Sequence, residues 1–142
     1  MPKDGGETQL QEAVAELLAA VILAPAEWTA MPVGHVRLTP GQAGKLYRMG
    51  AKANWPDILI LHGVLHGIEL KTAEGRLSTG RKVRSRRFGH MRQVEGQQQV
   101  FPRLEAAGMQ IYVCRSIDDV LAALKAWRIP TRQAVLPLER AA

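Results

Sequence analysis

Cysteine is almost absent from this sequence, since Cys114 is the one cysteine in 142 residues. A single cysteine excludes an internal disulfide bond and any cysteine-based zinc cluster. Its apolar neighbours Ile111, Tyr112 and Val113 predict a buried strand residue rather than a nucleophile. The four histidines are not spaced along the chain as the ligands of a metal site are. We therefore expect His35, His62, His66 and His90 at turn or surface positions.

Long hydrophobic runs are missing too. The apolar run from Ala13 to Ala26 is too short to cross a bilayer and is interrupted by Glu16. Acidic residues precede it where a secretory signal carries basic ones. We therefore expect a cytoplasmic protein with no membrane partner, and the single cysteine fits such a reducing compartment.

The stretch from Arg76 to Arg92 contains no acidic residue. It carries seven basic residues: Arg76, Arg81, Lys82, Arg84, Arg86, Arg87 and Arg92. The rest of the chain has twelve basic and thirteen acidic residues, so the whole net charge of +6 comes from this stretch. A localised cationic segment indicates a polyanionic partner, most often nucleic acid and less often a membrane surface. Its glycines follow no clear period, which predicts a mobile loop or an irregular arm.

The rest of the chain shows the hydrophobic periods and end signals of regular secondary structure. The first half predicts a helix from Glu7 to Leu23, an extended stretch from Met31 to Leu38, a helix from Thr39 to Gly50, and a hairpin of Asp57 to Leu61 with Leu65 to Leu70. The second half predicts a helix from about Val94 to Ala107 ended by Gly108, a strand from Gln110 to Cys114, and a helix opened by Ser116 and Asp119 and ended by Pro130. This order predicts one domain over residues 1–142 with an α/β fold, a central mixed sheet flanked by helices, and a loosely attached tail from about residue 130.

Asp57, Glu69 and Lys71 form the pattern that carries chemistry. Because alternate residues of a strand point to the same face, Glu69 and Lys71 project together, while Ile68 and Leu70 enter the core. Pairing of the two predicted hairpin strands brings the carboxylate of Asp57 beside that of Glu69. Two carboxylates without a histidine or cysteine ligand make a hard-oxygen site that suits Mg²⁺ or Mn²⁺. A lysine beside such an ion predicts phosphodiester hydrolysis, because it can orient the attacking water or offset negative charge.

Further segments accompany this pattern along nearly the whole chain, up to about Leu124. They are Glu7-Thr8-Gln9-Leu10-Gln11, Lys45 to Gly50, Trp55-Pro56-Asp57, Ile68-Glu69-Leu70-Lys71, Leu77-Ser78, a glutamine before a helix, and Gly108 followed by a strand and Arg115 to Val120. Taken singly, a Pro-Asp pair is a common turn and Glu-x-Lys is a common exposed strand pair. Taken together, the segments resemble the VRR-NUC family of the PD-(D/E)XK nuclease superfamily.

The resemblance implies a PD-(D/E)XK restriction-endonuclease-like core and a set of site residues. Glu7, Asp57, Glu69 and the backbone carbonyl of Leu70 would bind Mg²⁺ or Mn²⁺, and Lys71 would position the attacking water. Glu12 is the competing acid of the first helix.

The resemblance also implies an active-site glutamine. Gln97 matches it by its distance from Gly108, and Gln98 and Gln99 remain open as alternatives.

Two features depart from the family pattern. A basic insertion at about residues 75–93 separates Leu77-Ser78 from the glutamine, which would place the seven basic residues beside the active site as DNA contacts. The family tends to have glycine where Trp55 stands, and this tryptophan either packs on DNA or fills the core.

The function that the resemblance implies is a metal-dependent DNA endonuclease of DNA repair, acting as a homodimer on branched DNA such as Holliday junctions or flaps. A helicase or another repair or replication partner would supply its substrate. The alternative is a non-catalytic nucleic-acid-binding or adaptor domain that keeps the fold. A third option is a nuclease that acts on RNA.

Overall fold

The computed structural model describes residues 5–84 and 89–132. Within these residues the helices are α1 (Gly5–Val21), α2 (Pro40–Arg48), α3 (Gln97–Ala106) and α4 (Ile117–Ala126), with a short 3-10 helix at Pro32–His35. The strands are β1 (Glu27–Ala30), β2 (Ile58–His62), β3 (Val64–Leu70), β4 (Arg81–Arg84), β5 (Met91–Val94) and β6 (Gln110–Cys114). No helix of the described residues is both long enough and apolar enough to cross a bilayer.

A mixed sheet forms the centre, as the sequence predicts, and it has four strands in the order β1-β2-β3-β6. The β1-β2 and β2-β3 pairs are antiparallel, and the β3-β6 pair is parallel. Helices α1 and α4 cover one face of the sheet, where Ile68 and Leu70 lie in a fully buried core with Val14, Leu18 and Val120. Because side chains alternate along a strand, Glu69 faces the opposite side, where α3 lies.

Helix α1 confirms the predicted amphipathic helix but ends at Val21, two residues before the predicted end. Its buried side continues toward the N-terminus beyond the apolar residues, through Gln11 to Glu7. These two positions are four residues apart and therefore lie on one face. The buried stripe of α1 is thus apolar where it meets the core and polar where it approaches the candidate site.

The predicted hairpin and its neighbouring helix are confirmed. Thr39 caps α2: its hydroxyl accepts a hydrogen bond from the backbone N–H of Gln42, and its own backbone N–H donates to Oε1 of Gln42, which completes a capping box. Strands β2 and β3 turn at Gly63, whose φ of +72° is one that glycine adopts without strain. Strand β6 has the predicted bounds, and Gly108 follows α3 with φ of +110°.

The predicted extended stretch from Met31 to Leu38 is wrong in position. The strand here is β1, which precedes the stretch, and the stretch itself begins with the 3-10 helix. A proline at the first position of that helix favours the helical turn, since its missing amide hydrogen would be unpaired there in any case. In β1, Trp28 pairs with Ile60 of β2. The strand therefore lies on the N-terminal side of the stretch from Met31 to Leu38 where the sequence predicts it.

The prediction of an irregular basic segment is confirmed for residues 76–80 and 89–90, which belong to no helix or strand, and is wrong for β4 and β5. Strands β4 and β5 pair antiparallel, with Arg81 opposite Val94 and Arg84 opposite Met91. Most of their side chains are exposed, so no alternation of apolar and polar residues marks the strands in the sequence. Two of the predicted DNA contacts, Arg86 and Arg87, lie outside the described residues.

Helix α3 begins at Gln97 rather than near Val94, because Val94 belongs to β5 and Gly96 caps the helix. After α4 the chain stays in contact with the rest of the domain through residue 132. Leu23 donates a backbone hydrogen bond to Pro130, and Arg132 donates one to Val21. The predicted loose tail is therefore wrong for residues 130–132, and the remainder lies outside the described residues.

Candidate functional site

Asp57 and Glu69 meet where β2 begins and β3 ends. The antiparallel register pairs Ile58 with Ile68, which places Asp57 beside the last residues of β3. Oδ2 of Asp57 accepts a hydrogen bond from the backbone N–H of Leu70 at 2.7 Å. Glu69 has no exposed surface and Asp57 is 4% exposed. The local pairing that the sequence predicts therefore brings the two acidic residues together in a buried position.

Lys71 shares the side of Glu69, as strand alternation predicts. Its Nζ lies 3.2 Å from Oε1 of Glu69, and the lysine side chain is 9% exposed. The backbone N–H of Lys71 donates to the carbonyl of Cys114, so this residue is held against the end of β6. A cation and an acid are thereby fixed next to each other at the end of the central sheet.

Gln97 is the glutamine that the structure places in the site. Its Nε2 donates to Oε1 of Glu69 at 2.6 Å, and its Oε1 accepts from the backbone N–H of Ser78 at 3.1 Å. Gln98 is exposed and contacts Leu77, whereas Gln99 caps its own helix by accepting from Gly96. Of the three glutamines that the sequence leaves open, only Gln97 is buried and hydrogen-bonded to Glu69.

Glu7 lies in the first turn of α1 and is buried, whereas the competing acid Glu12 is exposed. The neighbouring Thr8 contacts Nδ1 of His35 through its hydroxyl at 3.3 Å. Nε2 of His35 lies 3.5 Å from Oδ1 of Asp57. These contacts connect the N-terminal turn of α1 with the candidate site.

His35 and His66 contradict the expected turn or surface positions. The side chain of His35 is 8% exposed between Thr8 and Asp57. His66 is buried, its ring 4.6 Å from that of Trp127, and this burial lowers the pKa of its imidazole. No sequence pattern marks His35, because its contacts join residues 27 and 22 positions apart.

The chemistry of the donor set fits a hard divalent cation. The buried charged side chains of the described residues are three carboxylates, Glu7, Asp57 and Glu69, with the ammonium of Lys71. In the part of the chain that the structure describes, no three His, Cys, Asp or Glu side chains form a group that could hold a metal by themselves. Mg²⁺ is commonly bound by one or two carboxylates together with several waters. Asp57 and Glu69 are suited to such a site, and within the described residues Glu7 does not form a three-acid cluster with them.

The basic hairpin, defined as β4 and β5, is joined to the site at its base. Ser78 precedes β4, and its hydroxyl accepts from the backbone N–H of Gln97 at 2.9 Å. Gly96, which follows β5, sits so close to Ser78 that an added Cβ would meet its carbonyl oxygen at 2.5 Å. The predicted DNA contacts of the described residues are exposed: Arg76, Arg81, Lys82, Arg84 and Arg92.

Arg115 holds the loop that follows Lys71. Its Nη1 donates to the carbonyls of Thr72 and Gly75, each at 2.6 Å. A second contact fixes its backbone, whose N–H donates to the carboxylate of Asp119. The loop leading out of the site is therefore fastened to the start of α4.

Comparison with protein-family models, with curated proteins and with solved structures finds no match to this chain. The chemical interpretation of the site therefore depends on its residues and their geometry.

Proposed function

We propose that this protein is a divalent-metal-dependent nuclease that hydrolyses phosphodiester bonds in DNA, with a PD-(D/E)XK core of the VRR-NUC type. The observation that carries the proposal is the meeting of Asp57, Glu69 and Lys71 at one end of the central sheet. The two acids offer hard oxygen ligands, and the lysine adds a cation beside them.

A bound Mg²⁺ or Mn²⁺ supplies Lewis-acid polarisation of the phosphoryl group and lowers the pKa of a coordinated water. Asp57, Glu69 and the carbonyl of Leu70 would bind the ion, and the resemblance adds Glu7 of α1 as a further ligand. Gln97 fixes the orientation of Glu69 through its 2.6 Å hydrogen bond. Lys71 orients the attacking water and offsets the negative charge that develops on the phosphate.

The basic hairpin supplies the binding half of the proposal. Its exposed cations begin at Arg81, three residues after Ser78, which is hydrogen-bonded to Gln97 of the site. Contacts between such cations and phosphates supply sequence-independent affinity for a nucleic-acid backbone. The hairpin is therefore suited to hold a strand beside the proposed metal site.

Cleavage assays test the proposal directly. Labelled duplex, single-stranded, flap and four-way-junction DNA, with a matched RNA strand, are incubated with Mg²⁺ or Mn²⁺. We expect cleavage of at least one DNA substrate, lost in Asp57→Asn and Lys71→Met, while DNA binding remains because the phosphate contacts lie on the hairpin. Asp118→Asn and Lys125→Met alter exposed residues of α4 and serve as matched controls. Folded protein that cleaves none of these substrates would contradict the proposal.

Thermal stability gives a readout that does not need a known substrate. A ligand that binds only the folded state raises the melting temperature with its concentration. We expect Mn²⁺ to stabilise the wild-type protein and to have a much smaller effect on Asp57→Asn and on Glu69→Gln. An equal shift in wild type and both variants would show that the ion binds elsewhere.

A second candidate function is a non-catalytic nucleic-acid-binding or adaptor domain. The observation that favours it is that Oε1 of Glu69 already receives two protein donors, from Gln97 and Lys71. This alternative predicts salt-sensitive DNA binding without metal-dependent cleavage. The same cleavage assay therefore separates the two functions.

The substrate structure and assembly are further parts of the proposal. By its resemblance to VRR-NUC nucleases, the protein would act on four-way junctions or flaps as a homodimer, with a helicase or another repair protein supplying the DNA. A symmetric dimer would place two sites for paired cuts. Faster cleavage of a junction than of its component duplexes, by a species that sediments as a dimer, is the expected result.

A further inference from the structure

A pocket of about 590 Å³ lies between the loop that precedes β2, the end of β5 and the middle of α3. Its volume falls within the range of sites that bind small organic groups. Trp55 forms part of its wall, with Val94, Val100 and Leu104 as further apolar lining. Lys52 and Gln93 also line it and place polar groups at its exposed side. We call this cavity the Trp55 pocket.

The walls of the Trp55 pocket are fixed by hydrogen bonds. Asn54 has φ of +68°, a conformation that asparagine tolerates better than most residues, and its Nδ2 donates to the carbonyl of Glu95 at 2.8 Å. The carboxylate of Glu95 is held in turn by a two-pronged ion pair with Arg103, one prong measuring 2.7 Å. These bonds hold Asn54, Glu95 and Arg103 in place, so that binding of a ligand would not need to order this part of the wall.

The lining matches the chemistry of a nucleobase. A base has a flat π face that stacks on an aromatic ring and polar edges that accept and donate hydrogen bonds. Trp55 offers the ring, Lys52 offers an ammonium, and Gln93 offers an amide whose Nε2 also donates to the carbonyl of Val94 at 3.3 Å.

The Trp55 pocket adjoins, along the chain, both the candidate metal site at Asp57 and the basic hairpin. Trp55 precedes Asp57 by two residues, so their Cα atoms lie within roughly 7 Å along the chain. Gln93 and Val94 belong to β5 of the basic hairpin. The pocket lining therefore combines a residue two positions from Asp57 with residues of the basic hairpin, the two features proposed to contact the strand.

We propose that the Trp55 pocket binds one unstacked base of the nucleic-acid strand, with Trp55 as the stacking surface. This inference rests on the proposed nucleic-acid substrate and adds the recognition of a base beside the cleaved phosphate. Base recognition next to the site would make the protein prefer strands whose bases leave the stack easily, since unstacking a base in a duplex costs free energy.

The first test compares binding of two labelled single strands, an oligothymidylate and a strand of the same length built of abasic sugar phosphates. Binding is measured by fluorescence anisotropy at one fixed salt concentration, with EDTA present so that no metal-dependent cleavage occurs. We expect the wild-type protein to bind the base-bearing strand about 5- to 150-fold more tightly, the range that stacking of one base supplies. In Trp55→Leu this preference should fall nearly to one.

Tyr112→Leu is the matched control, because Tyr112 is an exposed aromatic residue of β6 outside the pocket lining. It should keep the wild-type preference. If Trp55→Leu keeps the preference as well, or if both variants lose it equally, the proposal is overturned. Competition with thymidine monophosphate separates the two sources of a base, since displacement by the free nucleotide at equal affinity would identify the pocket as a nucleotide site instead.

The second test uses the wild-type protein and therefore does not depend on how Trp55→Leu folds. An oligonucleotide that carries 5-iodouracil is photocrosslinked to the protein, and the crosslinked peptide is identified by mass spectrometry. We expect the crosslink at Trp55, in the tryptic peptide from Ala53 to Lys71. Crosslinks confined to the basic hairpin would contradict the proposal.

The outcomes distinguish this inference from the proposed function. Loss of the base preference in Trp55→Leu without cleavage by the wild type would support the pocket and contradict the nuclease. Metal-dependent cleavage with equal affinity for both strands would support the nuclease and contradict the pocket.

Discussion

Gln97 donates a 2.6 Å hydrogen bond from its side-chain amide to Oε1 of Glu69, and thereby ties the start of α3 to the end of β3. The two residues are 28 positions apart in the sequence. On its other side the same amide accepts from Ser78, at the base of the basic hairpin. This one side chain therefore connects the candidate metal site with the candidate DNA-binding segment.

Replacing Gln97 by leucine should destabilise the protein by about 1–3 kcal/mol, because the buried carboxylate of Glu69 loses a donor. Urea unfolding measures the change. Gln98→Leu is the control, since Gln98 is exposed and its substitution should alter the free energy of unfolding by no more than about 0.5 kcal/mol. Equal effects of the two substitutions would show that the Gln97 bond contributes little.

Gly67→Ala should displace Pro56 and destabilise the protein by about 1–3 kcal/mol through overpacking. A Cβ at Gly67 would lie 2.6 Å from Cγ of Pro56, whose rigid ring immediately precedes Asp57. Gly5→Ala is the control, because a Cβ there meets nothing within 4 Å and alanine favours a helix. Circular dichroism melting curves of the three proteins should place Gly67→Ala below wild type and Gly5→Ala at or above it.

Arg115→Ala should release the loop that follows Lys71, because the guanidinium bonds to Thr72 and Gly75 are lost. Hydrogen bonds to charged groups are worth about 1.5–3 kcal/mol, so local opening should become markedly more frequent. Limited trypsin digestion should then cut after Arg76 faster than in wild type. Lys125→Ala changes an exposed cation of α4 and should leave this rate unchanged, and a similar acceleration in both would contradict the prediction.

Cys114 should make the protein less stable at high pH. Burial raises the pKa of its thiol to about 12, with the negative charge of Asp119 adding to the effect, whereas the ordinary value is 9.0. The stabilising contribution of the neutral thiol is therefore complete below pH 9 and is lost as the pH rises toward 12. Between these limits the free energy of unfolding should fall by about 1.4 kcal/mol per pH unit relative to Cys114→Ala. Urea unfolding of both proteins at several pH values measures this difference, and parallel pH profiles would contradict it.

Neutralising the hairpin cations Arg81, Lys82 and Arg92 to glutamine should weaken DNA binding and reduce its salt dependence. The slope of log Kobs against log salt should decrease by about 0.9 for each phosphate contact removed from a B-form duplex. Fluorescence anisotropy at several salt concentrations gives the slope. A control variant replaces the exposed cations Lys125 and Arg128 by glutamine. An unchanged slope in the hairpin variant would show that the hairpin cations do not contact DNA phosphates.

The sequence by itself determined the elements whose signals are local. Strand β6 has its predicted bounds because five consecutive residues suit a strand and Gly108 ends the preceding helix. The β2-β3 hairpin is equally local, since a glycine turn and a short separation set its register. Asp57, Glu69 and Lys71 could be placed together for this reason alone.

Only the tertiary structure decided the contacts between distant segments. Neighbouring glutamines look alike in the sequence, and burial against Glu69 singles out Gln97. His35 gave no signal, because its partners Thr8 and Asp57 belong to other elements that packing brings to it. The strands of the basic hairpin were missed because both of their faces are largely exposed, and without a buried face there is no apolar alternation to read. The sequence thus determines elements by their local periods, whereas long-range packing selects which polar side chains those elements bury together.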